Sequence, residues 1–263
     1  MTSPNNSRLR IERGAVARVA LARPEVRNAF DDALIEELTE AFASLGADGE
    51  VRVVVLSGDG PSFCAGADVA WMRKAGGYTR EENEADALRM ARMLRTIDAC
   101  PKPVVALAHG AAIGGGIGLV AAADIAIAAE GTVFSLAEVR LGILPSAISP
   151  YVLRAIGPRQ ARDLFLTGDR FDAREAHRIG LVHSVVPADG LEEAGKKKVA
   201  SLLAAGPEAV GVAKRLIEQV AGKNPEEVMP LTAKTIAERR ASGEAREGLT
   251  AFLEKRPPSW LPK

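Results

Sequence analysis

The sequence has few of the residues that build metal centres, disulfides or hydrolytic triads. It contains two cysteines and three histidines among 263 residues. Cys64 and Cys100 lack the spacing of metal ligands and any secretory context, so we expect reduced thiols and no metal site. None of the histidines stands in a recognisable order with a serine and an aspartate, which argues against a catalytic triad.

A net charge of either sign and a long apolar run are also missing. Lysine plus arginine and aspartate plus glutamate each number 34, and this balance argues against nucleic acid or an anionic membrane as a partner. No stretch is apolar for long enough to cross a bilayer, and Met1–Arg10 has no apolar signal core. With 47% hydrophobic residues, we expect a cytoplasmic globular protein with a full core.

Short apolar runs alternate with helical patterns in the first two thirds of the chain. The runs are typical of buried strands, and they are Val16–Leu21, Val51–Ser57, Val104–Ala108 and Ile125–Ala128. The helical patterns include Asp31–Leu45 and Glu81–Ala99. This alternation predicts an α/β fold with parallel strand pairing. Strand signals then stop, and the last helical patterns are Leu191–Leu203, Pro207–Val220, Pro225–Ala241 and Glu244–Glu254.

A cluster of glycines follows the third apolar run. Gly114, Gly115 and Gly116 remove the Cβ atoms that keep a ligand away from the backbone, and Ile117–Ala123 has the pattern of a buried helix. A ligand oxygen would meet bare N–H groups at the N-terminus of that helix. The cluster is also compatible with a tight connection alone. A dinucleotide loop fits poorly, because Leu119 stands where GxGxxG needs its last glycine.

A second strand-to-helix turn has the same character. The segment Gly58–Asp68 reads GDGPSFCAGAD and follows the second apolar run. Two turns with approachable backbone can supply one N–H each to a single oxyanion. The pair therefore predicts a site that stabilises negative charge on a carbonyl oxygen, as in an acyl thioester.

Five motifs, in order, resemble those of the crotonase family, the enoyl-CoA hydratase and isomerase superfamily. They are RPEVRNAF, SFCAGAD, GAAIGGGIG, FSLAEVRLGILP and LTGDRF, and the likeness runs from about Val16 to Arg256. The resemblance implies a crotonase-like spiral of ββα units over 1–188. A helical subdomain over 189–263 would then form a homotrimer or a dimer of trimers. An acyl-CoA thioester is the implied substrate, with no separate cofactor because coenzyme A is part of the substrate.

The resemblance also implies which residues form the site. It gives the oxyanion N–H groups to Ala67 and Gly115 and the catalytic carboxylate to Glu138. The other residues that it implies at the substrate are Ser62, Cys64, Ala65 and Gly66 around the adenine, Arg23 or Arg27 at a phosphate, and Trp71 and Met72 as pocket walls. Asp68, Gly114 and Gly118 are further implied substrate contacts, and Phe252 and Lys255 would reach a neighbour's CoA.

One departure from the family pattern bears on the reaction. Family hydratases usually carry two glutamates, whereas this chain has Gly118 at the first place and Glu138 at the second. Two carboxylates share the proton transfers of hydration, so a single one would perform both. For hydration we expect a water in the room that Gly118 leaves. Family isomerases use one glutamate at the second place, so an enoyl-CoA isomerase is an alternative. A catalytically silent CoA-binding assembly protein is the other.

Two segments indicate which acyl group the substrate carries. After Leu144 the chain reads PSAISPYVL where many hydratases have a run of glycines, so we expect a bulkier pocket wall. This segment and GADVAWM at Gly66–Met72 together resemble the corresponding segments of bacterial methylglutaconyl-CoA hydratases of leucine breakdown and of related branched glutaconyl-CoA hydratases. Arg140 is a candidate partner for a distal carboxylate, with a surface or interface salt bridge as the alternative.

Overall fold

The computed structural model describes residues 7–261, which form nine strands and ten α-helices. The strands are β1 (Leu9–Glu12), β2 (Val16–Leu21), β3 (Val53–Gly58), β4 (Val104–Ala108), β5 (Ala111–Ile113), β6 (Ile125–Ala129), β7 (Val133–Ser135), β8 (Arg170–Asp172) and β9 (Ser184–Val186). The helices are α1 (Asp32–Ala47), α2 (Val69–Ala75), α3 (Arg80–Asp98), α4 (Gly115–Ala122), α5 (Ser149–Thr167), α6 (Ala173–Arg178), α7 (Leu191–Ala204), α8 (Pro207–Val220), α9 (Pro225–Ala241) and α10 (Gly243–Leu253).

A six-stranded sheet forms the centre, in the order β1-β2-β3-β4-β6-β9. β1 pairs with β2 in antiparallel orientation, and every later neighbour pairs in parallel. All five residues of β4 are buried, since both faces of the sheet are covered. This is the α/β architecture that the alternating apolar runs predict, and that prediction is confirmed.

Side chains of the central strands alternate between two cores. Val54 and Leu56 belong to the main core, together with buried residues of α1, α3 and α4. Val55 and Val105 belong to a second core on the opposite face, which Val199 of α7 helps to close. The helical region after residue 188 thus begins with a helix that packs on the sheet. The division of the chain at 188 stays a prediction.

A second sheet, β5-β7-β8, positions the turns that follow it. β5 runs parallel to β7, which pairs antiparallel with β8. β5 leads into α4, and β7 leads into a 3₁₀ helix over Ala137–Leu141. Because β5 and β7 are parallel neighbours, the segments that follow them leave the same edge of the sheet. The Gly114 N–H donates to the Ser135 carbonyl at 2.9 Å and ties the two exits together.

The long predicted elements are confirmed to within a few residues, including the four C-terminal helices. The sequence did not reveal β5, β7, β8 and β9, because three residues are too few for a periodic pattern. It also did not reveal α5, whose pattern is interrupted by Gly157 and Pro158. Gly157 has a φ of 70° and bends this helix.

Most of Met1–Arg10 lies outside the described residues. Within 7–261, no helix is long and apolar enough to cross a membrane.

A largely buried ion pair attaches the C-terminal helices to the sheet. Asp124, just before β6, accepts hydrogen bonds at 2.7 Å from the Val104 N–H and from Lys214 of α8. The exposed fractions of the Lys214 and Asp124 side chains are 13% and 27%. Burial raises the pKa of Asp124, while Lys214 opposes that rise. Asp124 therefore has a structural role.

Replacing Lys214 with methionine would leave this carboxylate without its cation. We expect the free energy of unfolding to fall by about 1–3 kcal/mol, less than for a completely buried pair because Asp124 keeps some contact with solvent. Thermal denaturation measures the change. Adding Asp124→Asn should recover part of the loss, and a Lys214→Met protein with the wild-type melting temperature would contradict the assignment.

Candidate active site

The two glycine-containing turns lie side by side through backbone pairing. Cys64 and Ala112 form a parallel bridge, in which the Ile113 N–H donates to the Cys64 carbonyl at 2.9 Å. Ala67 and Gly115 each follow their paired residue by three positions. The two predicted donors therefore leave this pairing at the same edge, on neighbouring segments.

Neither of the two donor N–H groups takes part in the hydrogen bonds that hold the fold together. The Gly66 carbonyl accepts from the Phe30 N–H at 2.7 Å, so the Ala67 N–H of the same trans peptide points to the opposite side. Gly115 is the first residue of α4, where an N–H has no partner within the helix. Among residues 7–261, neither N–H has a hydrogen-bond acceptor. Ala67 is exposed and Gly115 is half-buried, so a ligand can approach them.

Two glycines next to these donors are required by the geometry of the turns. Gly66 and Gly114 have φ angles of 91° and 51°, which favour glycine. A Cβ at Gly66 would lie 3.1 Å from the Ile113 carbonyl oxygen. A Cβ at Gly114 would lie 2.8 Å from Oε1 of Glu138. Each glycine therefore sets the direction of the donor peptide that follows it.

Glu138 lies directly against the glycine turn. Its Oε1 occupies the space where a side chain on Gly114 would go, one residue before the Gly115 donor. Its Oε2 is buried and has no hydrogen-bond partner among the described residues. Burial raises the pKa of Glu138, and its own backbone N–H opposes that rise in part. A half-buried carboxylate with a raised pKa and a free oxygen is suited to take up and return a proton.

The room expected at Gly118 is occupied. Gly118 is buried, and a Cβ there would lie 2.4 Å from Cγ2 of Ile148 and 3.4 Å from Cδ2 of Leu94. The expectation that Gly118 leaves space for a water is therefore wrong. Ile148 belongs to the PSAISPYVL segment for which the sequence predicts a bulkier wall. Its contact with Gly118 could not be read from the sequence, because thirty positions separate the two residues.

Several residues predicted to bind substrate have structural side-chain roles. The Cys64 side chain is fully buried, and burial raises the pKa of its thiol to about 12, so it is not a nucleophile. Ser62 is also buried. Asp68 caps α2 by accepting from the Ala70 N–H and pairs with Arg23 at 2.9 Å. Burial raises the pKa of Asp68, but these hydrogen bonds and the Arg23 charge outweigh that effect and lower it.

The arginines near the site differ in whether their guanidinium groups are free to bind a substrate. Arg23 donates to the Ala29 carbonyl and pairs with Asp68, which occupies its guanidinium. Arg27 is exposed and forms no ion pair within 7–261, so of the two it is the one available to a phosphate. Arg140 donates to the Thr167 carbonyl and pairs with Asp169 at 2.5 Å. Arg140 therefore forms a surface salt bridge, and its contact with a distal carboxylate stays a prediction.

The remaining predicted contacts fall into two groups. Trp71 and Met72 are half-buried on the inner face of α2, and Ala65 is half-buried just before the first donor. Phe252 and Lys255 are exposed at the end of α10. Their contact with a neighbour's CoA stays a prediction.

Met90 and Phe30 pack against the Gly115 donor, although the sequence predicts neither contact: a Cβ on Gly115 would lie 2.8 Å from Cε of Met90 and 2.9 Å from the ring of Phe30. Met90 belongs to α3 and Phe30 lies two residues before α1, so only the fold brings these side chains to the donor. Phe30 lies in the motif RPEVRNAF, which was the available signal.

The packing of Gly118 against Ile148 can be tested by a size exchange. Gly118→Ala should lower the stability by about 1–3 kcal/mol, because the new methyl group overlaps Cγ2 of Ile148. Ile148→Ala should cost about 2–5 kcal/mol by leaving a cavity. The double variant should be more stable than the sum of the two losses predicts, as measured by thermal or urea denaturation. Additive losses would show that the residues are not in contact.

Comparison with known proteins agrees with this geometry. The family model for enoyl-CoA hydratase/isomerase matches residues 12–263. A crotonyl-CoA hydratase of Syntrophomonas wolfei is 35% identical over 243 residues, which cover 92% of each chain. The structure of an enoyl-CoA hydratase from Shewanella pealeana has a TM-score of 0.94 at 38% identity and covers 97% of each chain. AtuE of Pseudomonas aeruginosa has a TM-score of 0.94 at 38% identity and covers 97% of this chain and 100% of its own. The chain belongs to the enoyl-CoA hydratase/isomerase family.

Proposed function

We propose that the protein is a hydratase, which adds water reversibly to the double bond of a 2-enoyl-CoA thioester. The observation that carries the proposal is the carboxylate of Glu138, which has one buried oxygen without a partner and lies against the turn before the Gly115 donor. The family and the hydratase names of the relatives support it.

In the proposed reaction, the thioester carbonyl oxygen accepts from the Ala67 and Gly115 N–H groups. Glu138 removes a proton from water as the water oxygen bonds to the β-carbon. The electron pair of the double bond moves onto the carbonyl oxygen and forms an enolate, which the two N–H groups stabilise. Protonated Glu138 then gives its proton to the α-carbon. One carboxylate thus performs both transfers and returns to its starting state.

The side from which water arrives follows from the packing. Ile148 and Leu94 close the space beside Gly118, so in this proposal the water lies on the side of Glu138. The hydroxyl group and the proton are then delivered from the same face of the double bond. The fold offers no second carboxylate at Gly118 that would deliver either of them.

The narrower proposal concerns the acyl group and the assembly. We infer 3-methylglutaconyl-CoA, or a related branched enoyl-CoA of leucine catabolism, because GADVAWM and the segment through PSAISPYVL resemble that branch of the family. A cytoplasmic homotrimer or dimer of trimers is part of the same proposal. Exposed Leu249, Phe252 and Leu253 on α10 support a contact between subunits.

An enoyl-CoA isomerase is the second candidate, and Ile148 favours it. A dry pocket suits the return of a proton to another carbon of the same chain, because water would compete for the activated thioester. The closed space beside Gly118 makes that side of the site apolar. A catalytically silent CoA-binding protein is disfavoured by the retained Glu138 and both free N–H groups.

Glu138→Gln tests the proposed base. The change keeps the size of the side chain and removes its basicity, so we expect turnover to fall by about 10²–10⁴-fold. Because burial raises the pKa of Glu138, the wild-type rate should fall with decreasing pH at a midpoint above the ordinary value of 4.5. The pH profile of kcat/KM measures this midpoint, and the variant should lack it.

The melting temperature provides the control for folding. A carboxyl group with a raised pKa destabilises the folded state once the pH exceeds that pKa. Glu138→Gln should therefore melt at a higher temperature than wild type at neutral pH, with the difference vanishing below pH 4.5. Turnover within about threefold of wild type in this folded variant would place the base elsewhere.

Heavy-oxygen water distinguishes hydration from isomerisation. Incubation with 3-methylglutaconyl-CoA, crotonyl-CoA and a 3-enoyl-CoA in H₂¹⁸O, followed by mass spectrometry, reports the fate of each double bond. We expect one labelled oxygen in a 3-hydroxyacyl-CoA product. A shifted double bond without label would reject the hydratase and favour the isomerase, and no change in any substrate would favour the silent protein.

A further inference from the structure

Phe30 contacts both of the segments that carry the oxyanion donors. Its backbone pairs with Ala67 in a parallel bridge. In this bridge the Phe30 N–H donates to the Gly66 carbonyl at 2.7 Å, and the Asp68 N–H donates to the Phe30 carbonyl at 2.8 Å. The two peptides that flank Ala67 are therefore both hydrogen-bonded to Phe30, on the side opposite to the free Ala67 N–H.

The side chain of Phe30 reaches the second donor. A Cβ on Gly115 would lie 2.9 Å from Cε2 and 3.1 Å from Cδ2 of the Phe30 ring. The ring is buried and fills the space beside Gly115. Met90 covers the same face of the turn, but its unbranched thioether chain adapts easily to a change in its surroundings. The aromatic ring is thus the stiffer of the two supports of Gly115.

Phe30 is itself held in place on both sides along the chain. Asn28, two residues earlier, is completely buried, and its Nδ2 donates to the carbonyls of Asp59 and Ser62 at 2.8 Å each. On the other side, Asp31 caps the N-terminus of α1. The backbone around Phe30 is therefore fixed to the first donor turn and to α1, which leaves the ring little freedom to move.

The Gly115 donor depends on packing by other residues. Gly115 has no side chain, and it lies within the run Gly114–Gly116, whose backbone is freer than that of other residues. Groups that stabilise a transition state have to be held within about 0.5 Å of the productive geometry. A contact from outside the glycine run must supply that precision, and the Phe30 ring is placed to do so.

We propose that Phe30 is a positioning residue, which fixes the Gly115 N–H relative to the Ala67 N–H so that both reach one carbonyl oxygen. This inference rests on the proposed function. Phe30 acts through the two donors, since its own side chain is enclosed. A smaller side chain at this position would keep the pairing with Ala67, because that pairing uses only backbone atoms, and would release Gly115.

Infrared spectroscopy measures the two hydrogen bonds directly. The probe is butanoyl-CoA with ¹³C in the thioester carbonyl, a saturated substrate analogue that cannot be hydrated. Hydrogen bonds to this carbonyl lower its stretching frequency, so we expect a lower frequency in the wild-type complex than in the free probe. Phe30→Leu should retain roughly half of this decrease, because one of the two donors is displaced.

Phe42→Leu is the matched control. Phe42 is also a buried phenylalanine of the main core, but it lies toward the C-terminal end of α1. Its replacement should lower the melting temperature by an amount similar to that of Phe30→Leu and leave the carbonyl frequency at the wild-type value. Phe30→Met retains more of the volume at position 30, so it should fold if leucine is not tolerated, with a frequency between those of Phe30→Leu and wild type.

Kinetics with the substrate that the wild type converts provide the second measurement. Phe30→Leu should lower kcat by about 10–100-fold and change KM by less than about threefold, because a displaced donor loses more interaction with the enolate than with the ground-state carbonyl. Phe42→Leu should keep kcat within about threefold of wild type, at a temperature where both variants are folded.

The outcomes separate this inference from the proposed function. A folded Phe30→Leu protein with the wild-type frequency and kcat would overturn the inference, and so would equal changes in Phe30→Leu and Phe42→Leu, which would reflect a general loss of core packing. No decrease in the wild-type complex would reject both the inference and the proposed oxyanion step. A decrease that Phe30→Leu reduces, in a protein that hydrates no substrate, would support the positioning role and reject the hydratase.

Discussion

The backbone pairing between the segments around Cys64 and Ala112 is the constraint on which the site depends. It places Ala67 and Gly115 at equal distances along the chain from one bridge, so their N–H groups can share one oxygen. The close approach needs Gly116, where a Cβ would lie 2.6 Å from the Cys64 carbonyl oxygen. A slip by one residue would move one donor away from the other, and no side chain could compensate because both donors are backbone groups.

Hydrogen-bond and ion-pair partners determine how burial changes the pKa of each acidic group beside this pairing. The thiol of Cys64 is completely enclosed, and its high pKa keeps it protonated. Asp68 is held ionised by Arg23 and by two N–H groups, which fix the entry to α2. Glu138 has neither a cation nor a second donor within the described residues. It is therefore the acidic group there that can change its protonation state without breaking a structural interaction.

The sequence predicted the parts of the site that depend on local chemistry. Gly66, Gly114 and Gly115 were identified because glycine is needed where a chain turns sharply or a ligand approaches the backbone. The contact of Ile148 with Gly118 was not predicted, because it joins α4 to the start of α5. Such contacts depend on how helices pack, and a single sequence carries no signal for the pairing of two distant residues. The short strands were missed for the related reason that three residues show no period.

The contact between Gly118 and Ile148 also limits how this site can differ from a two-carboxylate hydratase. A glutamate at 118 would need the space that Ile148 and Leu94 fill, so one substitution could not introduce it without disturbing the core. The bulky side chain of Ile148 and the glycine at 118 therefore depend on each other. Ile148 fits because residue 118 has no side chain, and Gly118 leaves no cavity because Ile148 fills the space. With that side closed, proton transfer depends on Glu138, whose raised pKa moves its two protonation states closer in free energy at neutral pH. A single carboxylate that must both accept and return a proton is best served by this environment.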